Sequence, residues 1–127
     1  MSEDIQKLVK RLKKFREERD WGKFHTAKNL AISIGIEASE LMEYVQWRDG
    51  DELQKELETH KEDVEDEVAD VFNYLLGFCE VMNIDILHVA NRKLDKISKK
   101  YPVDKVKGDD KLEMYHSLKT QHRKNVS

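Results

Sequence analysis

Apolar side chains recur at three- and four-residue intervals along most of this sequence, and the interval breaks at only a few places. Ile5, Leu8, Leu12 and Phe15 form a first stripe, the spacing of a helix that buries one face. The helix should begin near Ser2, with Glu3 and Asp4 in the first turn, where negative charge favours the positive end of the dipole. Asp20 to His25 (DWGKFH) interrupts the pattern, Gly22 relaxing the backbone. A second helix is predicted from about Thr26 to Trp47. Leu30, Ile32, Ile34 and Ile36 alternate as a strand would, yet the window through Leu41, Met42 and Val45 keeps the helical period. Apolar residues on more than one side imply burial on more than one side. Ile32, Ile36 and Trp47 are therefore candidates for a subunit interface or a pocket wall.

Arg48 to Asp51 (RDGD) reads as a turn, after which a third helix runs to about Met82 with a break near Thr59. Asn83 to Asp85 forms a short connection with Asp85 as a cap, and a fourth helix reaches about Lys100, where Tyr101 and Pro102 stop it. The sequence beyond Gly108 is polar and weakly helical. The expected organisation is one domain over residues 1–107 and a mobile polar tail over 108–127.

Composition adds limits to that picture. With 127 residues, one proline and five glycines, the chain should be a single all-α domain, short enough to gain from oligomerisation. A formal net charge of −3 gives no general affinity for nucleic acid. Lys7, Lys10, Arg11 and Lys14 make a basic face on the first helix, read here as a solvated one. The single cysteine, Cys79, excludes an intramolecular disulfide framework and fits a reducing compartment; its apolar neighbours mark it as a buried hydrophobe. No signal-peptide pattern opens the sequence, and no apolar run approaches the roughly 20 residues a bilayer requires. A cytoplasmic protein without a membrane partner is the expectation.

Two short acidic motifs carry the candidate chemistry. Glu37-Ala-Ser-Glu40 and Glu67-Val-Ala-Asp70 each hold two carboxylates three residues apart, so at about 100° per residue each pair shares a helix face. Leu30, Ile34, Leu41 and Val45 run beside the first pair, and Val64, Val71, Leu75 and Phe78 beside the second. If the helices pack antiparallel, four carboxylates face one another. Two such charges 4 Å apart repel by about 4 kcal/mol at an effective dielectric near 20, which calls for a cation. Oxygen ligands without cysteine or histidine favour Mg²⁺, with Mn²⁺ as the alternative, and Mg²⁺ commonly takes substrate phosphates as further ligands. Trp21 and His25, in the loop before the second helix, suggest base recognition: an indole to stack on and an imidazole to hydrogen-bond.

These segments together resemble the all-α nucleoside triphosphate pyrophosphohydrolases of the MazG-like superfamily, most closely its dCTP pyrophosphatase-like branch. The resemblance runs from about Phe15 to Val103, through RDWGKFH (Arg19 to His25), NLAISIGIEASELMEYVQW (Asn29 to Trp47), EVADVFNYLLG (Glu67 to Gly77) and KKYPV (Lys99 to Val103). It departs at Ser39, where the family often has glycine, and at Ile97, where many members have asparagine. The resemblance implies a four-helix-bundle-like fold assembled as a homodimer or homotetramer. It further implies Mg²⁺ held by Glu37, Glu40, Glu67 and Asp70, and cleavage of a nucleoside triphosphate to monophosphate and pyrophosphate, a house-cleaning activity on the nucleotide pool. By the same carry-over His25, Trp21 and Trp47 shape the base pocket, Asn29 and Tyr74 lie near the nucleotide, and Lys93 approaches the phosphates. Glu40 is the expected proton acceptor, with Glu37 beside it. A pocket of two indoles and one imidazole should favour a single-ring base, and dCTP or a 5-modified relative is the expected substrate. The rival readings are a non-catalytic helical interaction module and a di-iron bundle. The latter needs Glu-x-x-His on paired helices, a spacing found only at Glu113 and His116.

Overall fold

Ser2 opens the first helix as the sequence predicts, its hydroxyl accepting from the backbone N–H of Ile5 at 3.3 Å. In the computed structural model, which describes residues 2–108 and 112–126, α1 spans Glu3–Glu18. Ile5, Leu8 and Leu12 are half-buried along it, but the stripe does not continue into Phe15, which is 46% exposed. Arg16 is buried in its stead. Phe15 packs edge-on to Trp21, with the Arg19 guanidinium 3.7 Å above its ring.

The break at Asp20 to His25 is a turn of 3-10 helix over Gly22–Phe24, entered through Asp20 at φ +54°. Thr26 then caps α2 (Ala27–Glu43), its Oγ1 accepting from the Asn29 N–H at 3.2 Å. This helix ends earlier than predicted. From Tyr44 the backbone tightens into i→i−3 bonds (Tyr44 N–H to Leu41 O, Val45 N–H to Met42 O, Arg48 N–H to Val45 O), so Trp47 leaves on a turn. The helical segment expected after that turn is divided at His60 into α3 (Gly50–Thr59) and α4 (Lys61–Val81), in line with the predicted break.

α2 packs chiefly on α4, with α1 and α3 also against α4. Leu30, early in α2, lies against Gly77, late in α4, while Glu37 meets Glu67 and Asp70 further along, so the two helices run antiparallel. Leu30, Leu76 and Cys79 are the fully buried apolar side chains among the described residues. Cys79 is thus the core residue its neighbours suggested, and burial pushes its thiol pKa up.

The chain divides into two units, Met1–Ile86 and Leu87–Ser127. The second holds α5 (Ile86–Lys100, continuing from the last residue of the first unit), α6 (Val103–Val106) and α7 (Leu112–Val126). The helix α7 occupies most of the segment anticipated as a weakly helical tail; residues 109–111 lie outside the described residues. Tyr115 of α7 stacks on Tyr101, ring centroids 4.8 Å apart. All regular elements among the described residues are helical, the all-α class anticipated, and none of these helices is long and apolar enough to cross a membrane.

Candidate functional site

The antiparallel pairing of α2 and α4 brings the two acidic motifs together. Glu37, Glu67 and Asp70 each place a carboxylate oxygen within 4.8 Å of the others. Glu37 Oε2 and Glu67 Oε2 are buried without a hydrogen-bond partner among the described residues. Loss of solvent pushes the Glu37 pKa up to about 7, and the neighbouring Glu40 and Asp70 carboxylates push the same way. Glu67 is raised as well, first by burial and then by Glu40 and Asp70, with Glu37 partly offsetting. Glu40 thus belongs electrostatically to the same cluster.

On one side of the cluster opens a cavity of about 140 Å³, lined by Leu12, Phe15, Arg16, Trp21, His25, Leu30, Asp70, Asn73 and Tyr74. The loop holding Trp21 and His25 is tied down at several points. The backbone N–H of Trp21 donates to Arg16 O at 2.9 Å, His25 Nδ1 lies 2.8 Å from Trp21 O, and Asn29 Nδ2 donates to Phe24 O at 2.9 Å. Asn29 thereby fastens the loop to the start of α2. The Tyr74 hydroxyl is raised in pKa by burial first and by Glu37, Asp70 and Glu40 second, so it stays protonated beside the acids.

On the other side lies a wider cleft of about 450 Å³ bounded by Glu40, Glu43, Tyr44, Arg48, Glu56 and Glu67. Arg48 Nη2 is 3.5 Å from Glu56 Oε1, and His60 Nε2 approaches the same oxygen at 3.3 Å. The acids thus stand between an aromatic cavity and a polar cleft edged by a cation.

The predicted site residues are not all brought together. Trp21, His25 and Tyr74 meet at the cavity with Asp70. Trp47, on the turn after α2, is 83% exposed and lines neither cleft. Lys93 is exposed on α5, in the second unit. Two arginines that line these cavities are not among the sequence-predicted site residues. Arg16 falls four residues after Leu12, a charge on the apolar stripe, which was the available signal. Arg48 falls in the Arg48 to Asp51 turn, whose composition carries no signal of a site.

Comparison with known proteins gives the arrangement its family. The description of the MazG-like family fits residues 32–115, about two thirds of the chain. The chain belongs to the MazG-like family. Among its relatives, mouse dCTP pyrophosphatase 1 is 32% identical over 108 residues, covering 84% of this chain and 62% of the relative. Human dCTP pyrophosphatase 1 is 30% identical over 102 residues, 79% of this chain and 58% of the relative. The chain therefore spans about three fifths of the length of these relatives. A crystal structure of a pyrophosphatase from Archaeoglobus fulgidus superposes with a TM-score of 0.76 at 45% identity, covering 80% of this chain and 95% of that one. The MazG-like segment contains both acidic motifs, Trp47, Tyr74 and Lys93, whereas Arg16, Trp21, His25 and Asn29 precede it.

Proposed function

We propose that this chain is a Mg²⁺-dependent nucleoside triphosphate pyrophosphohydrolase, with residues 1–107 as its catalytic domain. It would cleave a deoxynucleoside triphosphate, dCTP or a close relative, to monophosphate and pyrophosphate. The observation that carries this reading is the convergence of Glu37, Glu67 and Asp70 within 4.8 Å, two of their oxygens buried and unpartnered. Unpaired buried carboxylate oxygens are costly unless a cation or proton satisfies them. The donor set is all oxygen, so the residues fit a hard divalent ion, Mg²⁺ before Mn²⁺. Glu37, Glu40, Glu67 and Asp70 would hold it. When bound, such an ion neutralises phosphate charge and lowers the pKa of water.

The chain's own residues supply the remaining functions. Trp21 and Tyr74 give the nucleoside aromatic walls, and His25 gives it a polar contact. Asp70 lines that cavity while Glu40 and Glu67 line the cleft beyond, so a nucleotide with its base in the cavity runs its phosphates past the acids. Arg48 stands in that cleft, suited to the departing pyrophosphate. Glu40 accepts the proton of the attacking water. The assignments of Trp47 and Lys93 to substrate rest on the family resemblance.

The test is pyrophosphate release from a panel of deoxy- and ribonucleoside triphosphates, modified pyrimidines included, with and without Mg²⁺. Release should require the cation and disappear in Glu37→Gln, Glu40→Gln, Glu67→Gln and Asp70→Asn, each still helical by circular dichroism. Full activity in any two of these variants rejects the tetrad. No release from any triphosphate leaves a non-catalytic interaction module as the better reading.

A further inference from the structure

Arg16 is the buried charged residue among the described ones, and neither the acid cluster nor the loop accounts for it. Its guanidinium lies against Gly77, where a Cβ would come within 2.8 Å of Nη1. Nη2 donates to Glu80 Oε2 at 3.3 Å, and Lys13 Nζ stands 3.7 Å from the other oxygen of that carboxylate. A guanidinium carries five N–H donors in a fixed plane and no acceptor, so the bond to Glu80 leaves donors over. Arg16 is also among the residues that line the cavity of Trp21, His25, Asn73 and Tyr74.

His25 supplies the opposite polarity. Its Nδ1 faces the Trp21 carbonyl oxygen at 2.8 Å. A carbonyl only accepts, so Nδ1 carries the proton and Nε2 of the neutral ring is an acceptor. The cavity therefore offers donors on Arg16 and an acceptor on His25. Cytosine has the complementary edge: adjacent acceptors at N3 and O2, and an amine donor on C4. Uracil and thymine carry a proton on N3 and a carbonyl at C4, which would set like against like at both points.

We propose that Arg16 is the residue that selects cytosine, through a two-point contact to N3 and O2, while His25 Nε2 accepts from the C4 amine. Glu80 and Gly77 fix the plane of the guanidinium. This rests on the reading of the cavity as the nucleoside site. Bidentate recognition of a base edge discriminates by about 1–3 kcal/mol, which converts to roughly 5- to 150-fold in affinity.

The probes are deoxycytidine and deoxyuridine monophosphates, titrated into the full chain with Mg²⁺ present and followed by calorimetry. The wild type should bind the cytosine nucleotide more tightly, by a ratio within that span. Arg16→Lys keeps a cation opposite Glu80 but loses the planar fork, and should bring the ratio close to unity. Glu80→Gln leaves the guanidinium in place with a weaker clamp, and should lower the ratio part of the way. Equal affinities in the wild type, no binding of either probe, or a wild-type ratio retained by Arg16→Lys overturns the proposal. Arg16-dependent cytosine binding without pyrophosphate release from any triphosphate would defeat the enzymatic reading and leave this one standing. Pyrophosphate release whose base ranking survives Arg16→Lys would do the reverse.

Discussion

Glu37 concentrates the conflict built into the acid cluster, because burial and the charges of Glu40 and Asp70 all favour its proton. Its folded pKa is pushed up to about 7 from an ordinary value of 4.5, so between those values the folded state binds more protons than the unfolded one. Stability from this group is therefore fully present at and below the unfolded value and declines as pH rises through the folded one. Glu67, raised in the same direction, adds to the effect. In chelator, the Tm should fall between pH 5 and pH 8, Glu37→Gln should flatten that slope, and Mg²⁺ should restore Tm at the upper end. A slope of opposite sign in chelator, or one unchanged by Glu37→Gln, would remove Glu37 from this role. The carboxylates were legible in the sequence because three-residue spacing beside an apolar stripe fixes their face. Arg16 was not, since a long aliphatic stem lets a charge occupy either side of a helix border. Only the neighbouring Gly77 and Glu80, far along the chain, decide that it goes inward and Phe15 outward.

At the scale of the elements, Gly77, at the end of the segment Glu67 to Gly77, has a packing role. A methyl group at Gly77 would meet Arg16 Nη1 at 2.8 Å and Leu30 Cδ2 at 3.4 Å, inside the contact of α1 and α2 with α4. Overpacking of this kind costs about 1–3 kcal/mol against a helix-propensity gain of about 1 for alanine, so Gly77→Ala should lower stability by up to about 2 kcal/mol. Urea unfolding measures the balance, and a variant more stable than wild type would show that the guanidinium simply moves aside. The cap of α2 is a second point of leverage. Thr26→Ala removes the bond to the Asn29 N–H and should cost about 1 kcal/mol. Because Asn29 also fastens the aromatic loop, nucleotide affinity should fall in the same variant; an unaltered affinity would uncouple cap from loop. Helix starts were readable here because capping chemistry is local. The early end of α2 was not, since Tyr44 to Trp47 are good helix residues and only the i→i−3 bonds of the folded chain turn them aside. Nor was α7 credited, its composition being polar and its Tyr101–Tyr115 stacking a pairing between distant positions.

For the molecule as a whole, the question is where its apolar surface goes. Among the described residues only Leu30, Leu76 and Cys79 are fully buried apolar side chains, a small core for 127 residues. Ile32, Ile36 and Met42 on α2 and Val68 and Phe72 on α4 are exposed. The alternation that put isoleucines on two sides of α2 in the sequence is thus realised as an inner side, with Leu30 buried and Ile34 half-buried, and an uncovered one. Contiguous exposed apolar surface on a small domain usually marks an interface, and identical chains most often meet through a symmetric one. A stable pairing typically covers about 800 Å² on each partner, which a face formed by two helices can supply. In solution, light scattering should therefore give a mass two or four times that of the chain. The double variant Ile32→Asp/Ile36→Asp should dissociate it by placing unpaired carboxylates in the covered face, at a cost of several kcal/mol unless the pairing opens. Loss of oligomer should also lower Tm in a concentration-independent way, whereas the wild-type Tm should rise with protein concentration. A monomeric wild type would mean that the chain does not pair, and a double variant with wild-type mass and Tm would mean that these isoleucines are not the surface of pairing.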